Sequence, residues 1–328
     1  MDSMPLVTNA LAVPFFCRLA AGAIALLLCE LAFSFPDKPI RIIVPLAAGG
    51  NADILGRAMA QRLADVFRQN VIVDNRPGGA TILGTEMVAK APADGYTLLL
   101  AGTSHVTNAT IFKRLPYDTL NEFSGVTLIA TAPLLLLVHA SVPASSVKEL
   151  IALAKARPGE LNFASSGADT RLQGELFKAL AGINIVNIPY SSGAVEYADL
   201  VAGQVHLKFG STVSVAPHVK SGRLRALTVT TAQPSALYPS LPTVAAALPG
   251  YEAAAKAAMF VPAKTPEAII NRLNQEIGRF LRTGEAKEKF ANAGSEAVTS
   301  SPEEAAATVK TDMARLGKLI RDTGMRAN

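Results

Sequence analysis

Two loops in this sequence carry residue types suited to holding an anion through the backbone rather than through reactive side chains. In residues 40–53, IRIIVPLAAGGNAD, a β-branched run stops at Pro45, small residues with Gly49 and Gly50 follow, and helical spacing begins at Ile54, Leu55, Ala58, Met59 and Leu63. A strand, loop and helix in that order bring a permissive glycine backbone and the unpaired N–H groups of a helix start to one place, where negative charge is favoured. A later strand ends on a second such loop, Asn75-Arg76-Pro77-Gly78-Gly79. The guest that this chemistry suits is a small anion.

Side-chain chemistry is harder to find. Ser104 and His105 are adjacent, but no glycine-flanked nucleophile elbow surrounds the serine and no acidic partner for the histidine is identifiable. Gly49-Gly50 lacks the G-x-G-x-x-G spacing, there is no P-loop lysine, and neither H-E-x-x-H nor a clustered acid set is present. The sequence therefore predicts no catalytic residue, no metal ligand and no cofactor.

Half of the 328 residues are hydrophobic, enough for two medium domains with cores of their own. The pI of about 9.2 raises nucleic acid as a partner. Scattered Lys and Arg, and aromatics at only 6%, argue against one. Residues 1–34 read as a cleaved secretion signal: Arg18 leads into the apolar run 19–29, and Ala32-Phe33-Ser34 supplies small residues at the cleavage spacing. Leu28 before Cys29 does not suit a lipidation site. Cys17 and Cys29 both fall in this segment, so the processed chain is expected to have no thiol and no disulfide. No later run approaches the roughly 20 apolar residues that a bilayer span needs.

After the signal, strand and helix patterns alternate, which predicts parallel sheets covered by helices. Strands are expected over 41–44, 71–74, 97–101, 134–139, 162–164, 186–188, 205–209 and 226–230. Helices are expected over 52–68, 82–90, 147–156, 172–181, 194–201, 266–281, 286–293 and 302–323, the last three in succession without a strand. Domain joints are expected near Pro133 and Pro249-Gly250-Tyr251. They divide the chain into 35–133 with 251–328, and 134–250.

The ordered motifs VPLAAGGNAD, VDNRPGG, DGYTLLLAG, FASSG, PYSSGA, AGQVHLKF and PHVKSGRLRAL resemble the Bug receptors, the periplasmic solute receptors of tripartite tricarboxylate transporters. The resemblance covers the whole chain after about Phe35. It implies an α/β fold of the type II periplasmic-binding (Venus-flytrap) class, with two α/β lobes and a ligand cleft between them. It also implies a monomeric periplasmic receptor that holds a small carboxylate by backbone N–H groups and water, and delivers it to a membrane permease without chemistry. Presenting the ligand to a membrane sensor kinase is the alternative role.

Carried over position by position, the resemblance implies a first binding loop of Leu46, Ala48, Gly49, Gly50 and Asp53, with Asp53 either a helix cap or a ligand contact. Thr103 and Ser104 follow a strand and belong at the cleft by the strand-end rule. On the second lobe the implied jaws are Ser165, Ser166 and Gly167, and Tyr190, Ser191, Ser192 and Gly193. Arg171 is either a bidentate carboxylate clamp or an exposed first-turn arginine. Gly210 stands where relatives commonly carry a cleft-facing acid, and His206 where another is expected. Their absence disfavours amino-acid ligands and predicts a more electropositive cleft. Lys256 stands where an aromatic is common.

Overall fold

The computed structural model describes residues 35–166, 168–211 and 215–323. The signal-like residues 1–34, with Cys17 and Cys29, and Gly167 of the second-lobe jaws lie outside the described residues.

Two sheets organise the chain from Lys38 onward. The first has the order β11-β4-β10-β3-β1-β2. Its members are β1 (Ile40–Val44), β2 (Val71–Asn75), β3 (Thr97–Ala101), β4 (Phe123–Ala132), β10 (Ala255–Pro262) and β11 (Glu296–Ala297). The second has the order β7-β6-β8-β5-β9. It is built from β5 (Leu134–His139), β6 (Asn162–Ser165), β7 (Val186–Pro189), β8 (Leu207–Ser211) and β9 (Leu224–Val229). The chain passes from one sheet to the other at Pro133, between β4 and β5, and returns between β9 and β10.

The sheets are mixed, which corrects the expectation of parallel ones. β1 pairs in parallel with β2 and β3, and β6 with β7 and β8. β10 runs antiparallel to both β3 and β4, and β5 antiparallel to both β8 and β9. The unread strands β4 and β10 account for the first sheet's share. β4 is followed after a single proline by the apolar β5, so two strands in different sheets resemble one signal, and AKAAMFVP is too alanine-rich to announce a strand.

Helices cover these sheets through their apolar faces. α1 (Asn51–Phe67) buries Leu55, Ala58, Met59, Leu63 and Phe67, one stripe at helical spacing. It stops at Arg68, which adopts φ 53° and returns its N–H to the Ala64 carbonyl. α2 (Ile82–Ala89) and the polar α3 (Ser104–Ile111) follow β2 and β3. In the second half α4 (Val147–Ala156), α5 (Ala168–Ala181), α6 (Gly193–Val201) and the short α7 (Ala216–Lys220) alternate with the strands. α8 (Glu267–Leu281), α9 (Gly284–Asn292) and α10 (Pro302–Thr323) return to the first sheet, although β11 interrupts them by pairing with Thr131 and Ala130 of β4. α10 packs on α3 and β4 and also reaches α5, so it touches elements attached to both sheets. Among the described residues no helix is long and apolar enough to cross a membrane.

Candidate functional site

The loops leaving β1 and β3 open on a cavity of about 550 Å³. Its lining combines Leu46 after β1, the first residues of α1, the turn Ala80-Thr81, and Thr103 and Ser104 at the start of α3. Ala130 and Ala132 of β4 with Ala255 and Ala257 of β10 supply a wall of methyl groups, and Ser166 and Thr170 reach it from the second sheet.

The turn before α2 is the most constrained part. Gly78, Gly79, Ala80 and Thr81 have φ of 130°, 54°, 54° and 78°. A left-handed backbone costs a residue with a Cβ about 1–2 kcal/mol, so Ala80 and Thr81 must be held there. Asn108 of α3 does so: its Nδ2 donates to the Ala80 carbonyl at 2.6 Å and to Thr81 Oγ1 at 3.2 Å. Thr81 Oγ1 donates in turn to Ser104 Oγ at 3.3 Å, and Thr85 Oγ1 to the Thr81 carbonyl at 2.9 Å. Polar side chains from two loops and a helix thus converge on Ser104.

The first loop is arranged differently from its sequence reading. Leu46 lines the cavity, whereas Ala48, Gly49, Gly50 and Asp53 are not among its lining residues. Asp53 is buried, and its Oδ2 accepts the Gly49 N–H at 2.9 Å and Arg57 Nε at 3.0 Å. Those bonds, the arginine's first and the Gly49 amide's second, hold its carboxyl below the usual carboxylate range. Asp53 therefore clamps the loop, and Gly49 takes up the positive φ of 83° that the clamp requires. Asn75 Nδ2 ties the same loop to β2 by donating to the Leu46 carbonyl at 3.1 Å.

Thr103 and Ser104 both line the cavity. Thr103 Oγ1 also accepts the Lys256 N–H at 3.2 Å, which joins the end of β3 to β10. His105, beside them, is buried among Tyr117, Phe123 and Phe260, with Phe123 edge-on at 4.9 Å. Neither of its ring nitrogens has a hydrogen-bond partner among the described residues, and burial pushes its pKa down to about 4. It is a neutral core residue and forms no pair with Ser104.

On the second side, Ser166 lines the cavity and its N–H donates to Thr170 Oγ1 at 3.2 Å. Ser165 is buried and accepts Asn187 Nδ2 at 2.7 Å, a tie between β6 and β7. Tyr190, Ser191, Ser192 and Gly193 are not among the lining residues. The Tyr190 hydroxyl donates to Asp199 at 2.8 Å, and burial together with that carboxylate pushes the phenol up to about 12. Ser192 caps α6 by accepting the Val195 N–H at 3.4 Å. Gly193 stands beside Ser166, whose Oγ would lie 3.8 Å from a Cβ built there. Arg171 is half-buried, outside the lining, and its Nε is buried without a partner among the described residues.

β8 begins at Leu207, two residues later than expected, so His206 precedes it and lies against Asn162 at 3.0 Å. Gly210 also lies outside the lining. A Cβ there would come within 2.6 Å of the Tyr197 hydroxyl and 2.9 Å of Lys208 Cε, so the space an acid would take is occupied. Lys208 is buried, ion-paired with the buried Glu196, and stands 4.5 Å over the Tyr197 ring.

Among the described lining residues Lys256 alone is ionisable. Its Nζ lies 3.1 Å from Glu252 and 3.2 Å from Asp312. Arg315 donates to the other Asp312 oxygen at 3.1 Å and to the Glu252 carbonyl. Glu252, Asp312 and Arg315 are not among the cavity's lining residues, so this group of two cations and two acids lies beside the cavity rather than in it.

Thr81, Asn108 and Thr170 escaped the sequence reading. The Asn75-to-Gly79 loop was the available signal for Thr81. Asn108 had none, because the polar helix α3 was not anticipated.

The pattern that defines the tripartite tricarboxylate transporter family receptor matches residues 55–325. The chain is 34% identical over 299 residues to the UPF0065 protein of the tcbD-tcbE intergenic region of Pseudomonas sp. (strain P51), an alignment covering 90% of this chain and 89% of that one. Among solved structures it is similar to R. palustris Rpa4515 with adipate, at 35% identity and a TM-score of 0.73, covering 89% of this chain and 99% of that one. It is also similar to the periplasmic binding protein BugD, at 27% identity and a TM-score of 0.70, covering 90% and 100%.

Proposed function

We propose that this chain, which belongs to the tripartite tricarboxylate transporter receptor family, captures a small carboxylate in the cavity between its two sheets. The observation that carries this reading is the convergence of neutral donors on one end of that cavity. Ser104 lies there at the start of α3, its Oγ accepting from Thr81 Oγ1 and so left to donate its own proton, and Ser166 and Thr170 line the cavity from the second sheet. Hydroxyl donors gathered at the start of a helix suit an oxyanion.

The receptor works in the periplasm, where the signal-like residues 1–34 direct it. Its lobes, 35–133 with 251–328 and 134–250, close on the ligand, and the closed form hands it to a membrane permease. A ligand touching Ser104 and Ser166 at once favours closure by its differential affinity for the closed state. Arg171 joins the contacts in that state. Similarity to an adipate-bound receptor and to a periplasmic binding protein supports this reading.

Thermal denaturation of the purified chain against mono-, di- and tricarboxylates, amino acids and aromatic acids tests it, since ligand bound to the native state raises the melting temperature by mass action. A concentration-dependent rise with carboxylates is expected. No rise with any acid, or turnover of one, overturns it.

A further inference from the structure

Thr230, the residue after β9, ties together both chain crossings between the sheets. It is fully buried, and its backbone and hydroxyl are all engaged. Its N–H donates to the Leu134 carbonyl at 2.9 Å, and its carbonyl accepts the Ala253 N–H at 3.0 Å. Its Oγ1 accepts the Leu134 N–H at 3.1 Å and donates to the Ala253 carbonyl at 3.4 Å. Leu134 opens β5 just past the outward crossing, and Ala253 lies on the return crossing that leads to β10.

The first sheet is anchored just as closely on its own side. There the pairing of β4 with β10 reaches Ala132 opposite Ala255. Between that pair and the Thr230 bridge stands one residue on each crossing, Pro133 on the way out and Ala254 on the way back. Two pivots held at a fixed separation define a single axis of rotation, whereas two unlinked pivots also permit twist and shear. A void of about 60 Å³ beside Ala254, lined by Leu172 and Leu176 of α5 and Leu316 of α10, leaves those side chains room to shift.

We propose that Thr230 is a positioning residue for ligand capture. By binding the two crossings to each other it confines lobe movement to one hinge through Pro133 and Ala254, so that Ser166 meets Ser104 in a single register on closure. Tyr251, packed against Phe177 and Phe209 with its hydroxyl donating to the Gln173 carbonyl at 3.3 Å, moves with the second lobe. Fewer lobe arrangements then remain for the ligand to order. Thr230 is not among the cavity's lining residues, so its effect on binding is indirect. The inference rests on the two-lobe receptor reading and not on which acid is bound.

Dipolar distance measurement between two spin labels on the full chain tests the hinge without a ligand. The exposed Lys113 and Lys155, one in each lobe, are replaced by labelled cysteine in a Cys17→Ser and Cys29→Ser background. Thr230→Val keeps the branched shape but loses both hydroxyl bonds, and should broaden the distance distribution by about twofold or more. Thr230→Ser keeps the hydroxyl and should retain the wild-type width, a rescue that packing alone would not give. Should Thr230→Val fold poorly, glycine variants decide: Ala254→Gly loosens a pivot and should broaden the distribution, whereas Ala253→Gly is held by its bonds to Thr230 and should not. A valine variant as narrow as the wild type, a serine variant as broad as the valine one, or equal widths in the two glycine variants overturns the hinge. The acid that raises the melting temperature most should bind Thr230→Val about fivefold or more weakly, and equal affinity overturns the part of Thr230 in capture. Failure of every acid to bind overturns the carboxylate reading, while the distance measurement still decides on the hinge.

Discussion

Asn108 reaches from the first turns of α3 to the Ala80 carbonyl at 2.6 Å and holds a left-handed backbone that neither Ala80 nor Thr81 would adopt unaided. The strain lies on the cavity wall. Asn108→Ala leaves the carbonyl without its donor and should destabilise the fold by about 1–3 kcal/mol. It should also weaken ligand binding by about tenfold or more, because Thr81 and Ser104 lose their common register. Denaturant unfolding and titration of the same preparation check both; unchanged affinity would remove the turn from the site.

Asp53 gives a second prediction. Its folded pKa is depressed, so its contribution to stability is present above the unfolded value of 3.8 and is lost as pH falls through the lower folded value. The stability gap between wild type and Asp53→Asn should therefore be constant at neutral pH and shrink at acid pH. Urea melts across that range measure it, and a gap that does not change with pH contradicts the loop clamp.

How much of this was legible in the sequence follows from which interactions are local. The β1 loop and α1 could be read because a β-branched run and a helical stripe are properties of neighbouring residues. The clamp between Asp53 and Gly49 spans four positions, yet it reassigned the amide that the glycine pattern had offered to a ligand. The handedness of Ala80 and Thr81 depends on Asn108, which lies 28 positions after Ala80. Lys256 stood out as a departure, but its neutralisation needs Asp312, 56 positions away on α10. β4 and β10 were missed for a related reason: their pairing partners, rather than their own composition, make them strands.

His105 supplies a prediction with the sign of a buried neutral base. Its pKa falls from 6.5 to about 4 on folding because burial excludes the charged form. Between those values the unfolded chain binds more protons, so stability should rise with pH through that window and level off above it. His105→Phe keeps an aromatic among Tyr117, Phe123 and Phe260 and should flatten the slope. An equal slope in the variant would assign it to other groups.

Gly210 tests whether the second sheet can accept a side chain where the family resemblance leads one to expect an acid. Gly210→Ala sets a Cβ against Tyr197 and Lys208 and should cost about 1–3 kcal/mol by overpacking. Affinity of the folded fraction should stay the same, because Gly210 is not among the lining residues. Adding Tyr197→Phe removes the nearest atom, 2.6 Å from that Cβ, and should recover part of the loss in chemical denaturation.

A crystal structure of the chain grown with a saturating carboxylate tests the central claim most directly. The account predicts the carboxylate group within hydrogen-bond distance of Ser104, with Ser166 or Thr170 contacting the ligand from the opposite side. A bound acid elsewhere on the molecule, with the cavity between the sheets filled only by solvent, contradicts it.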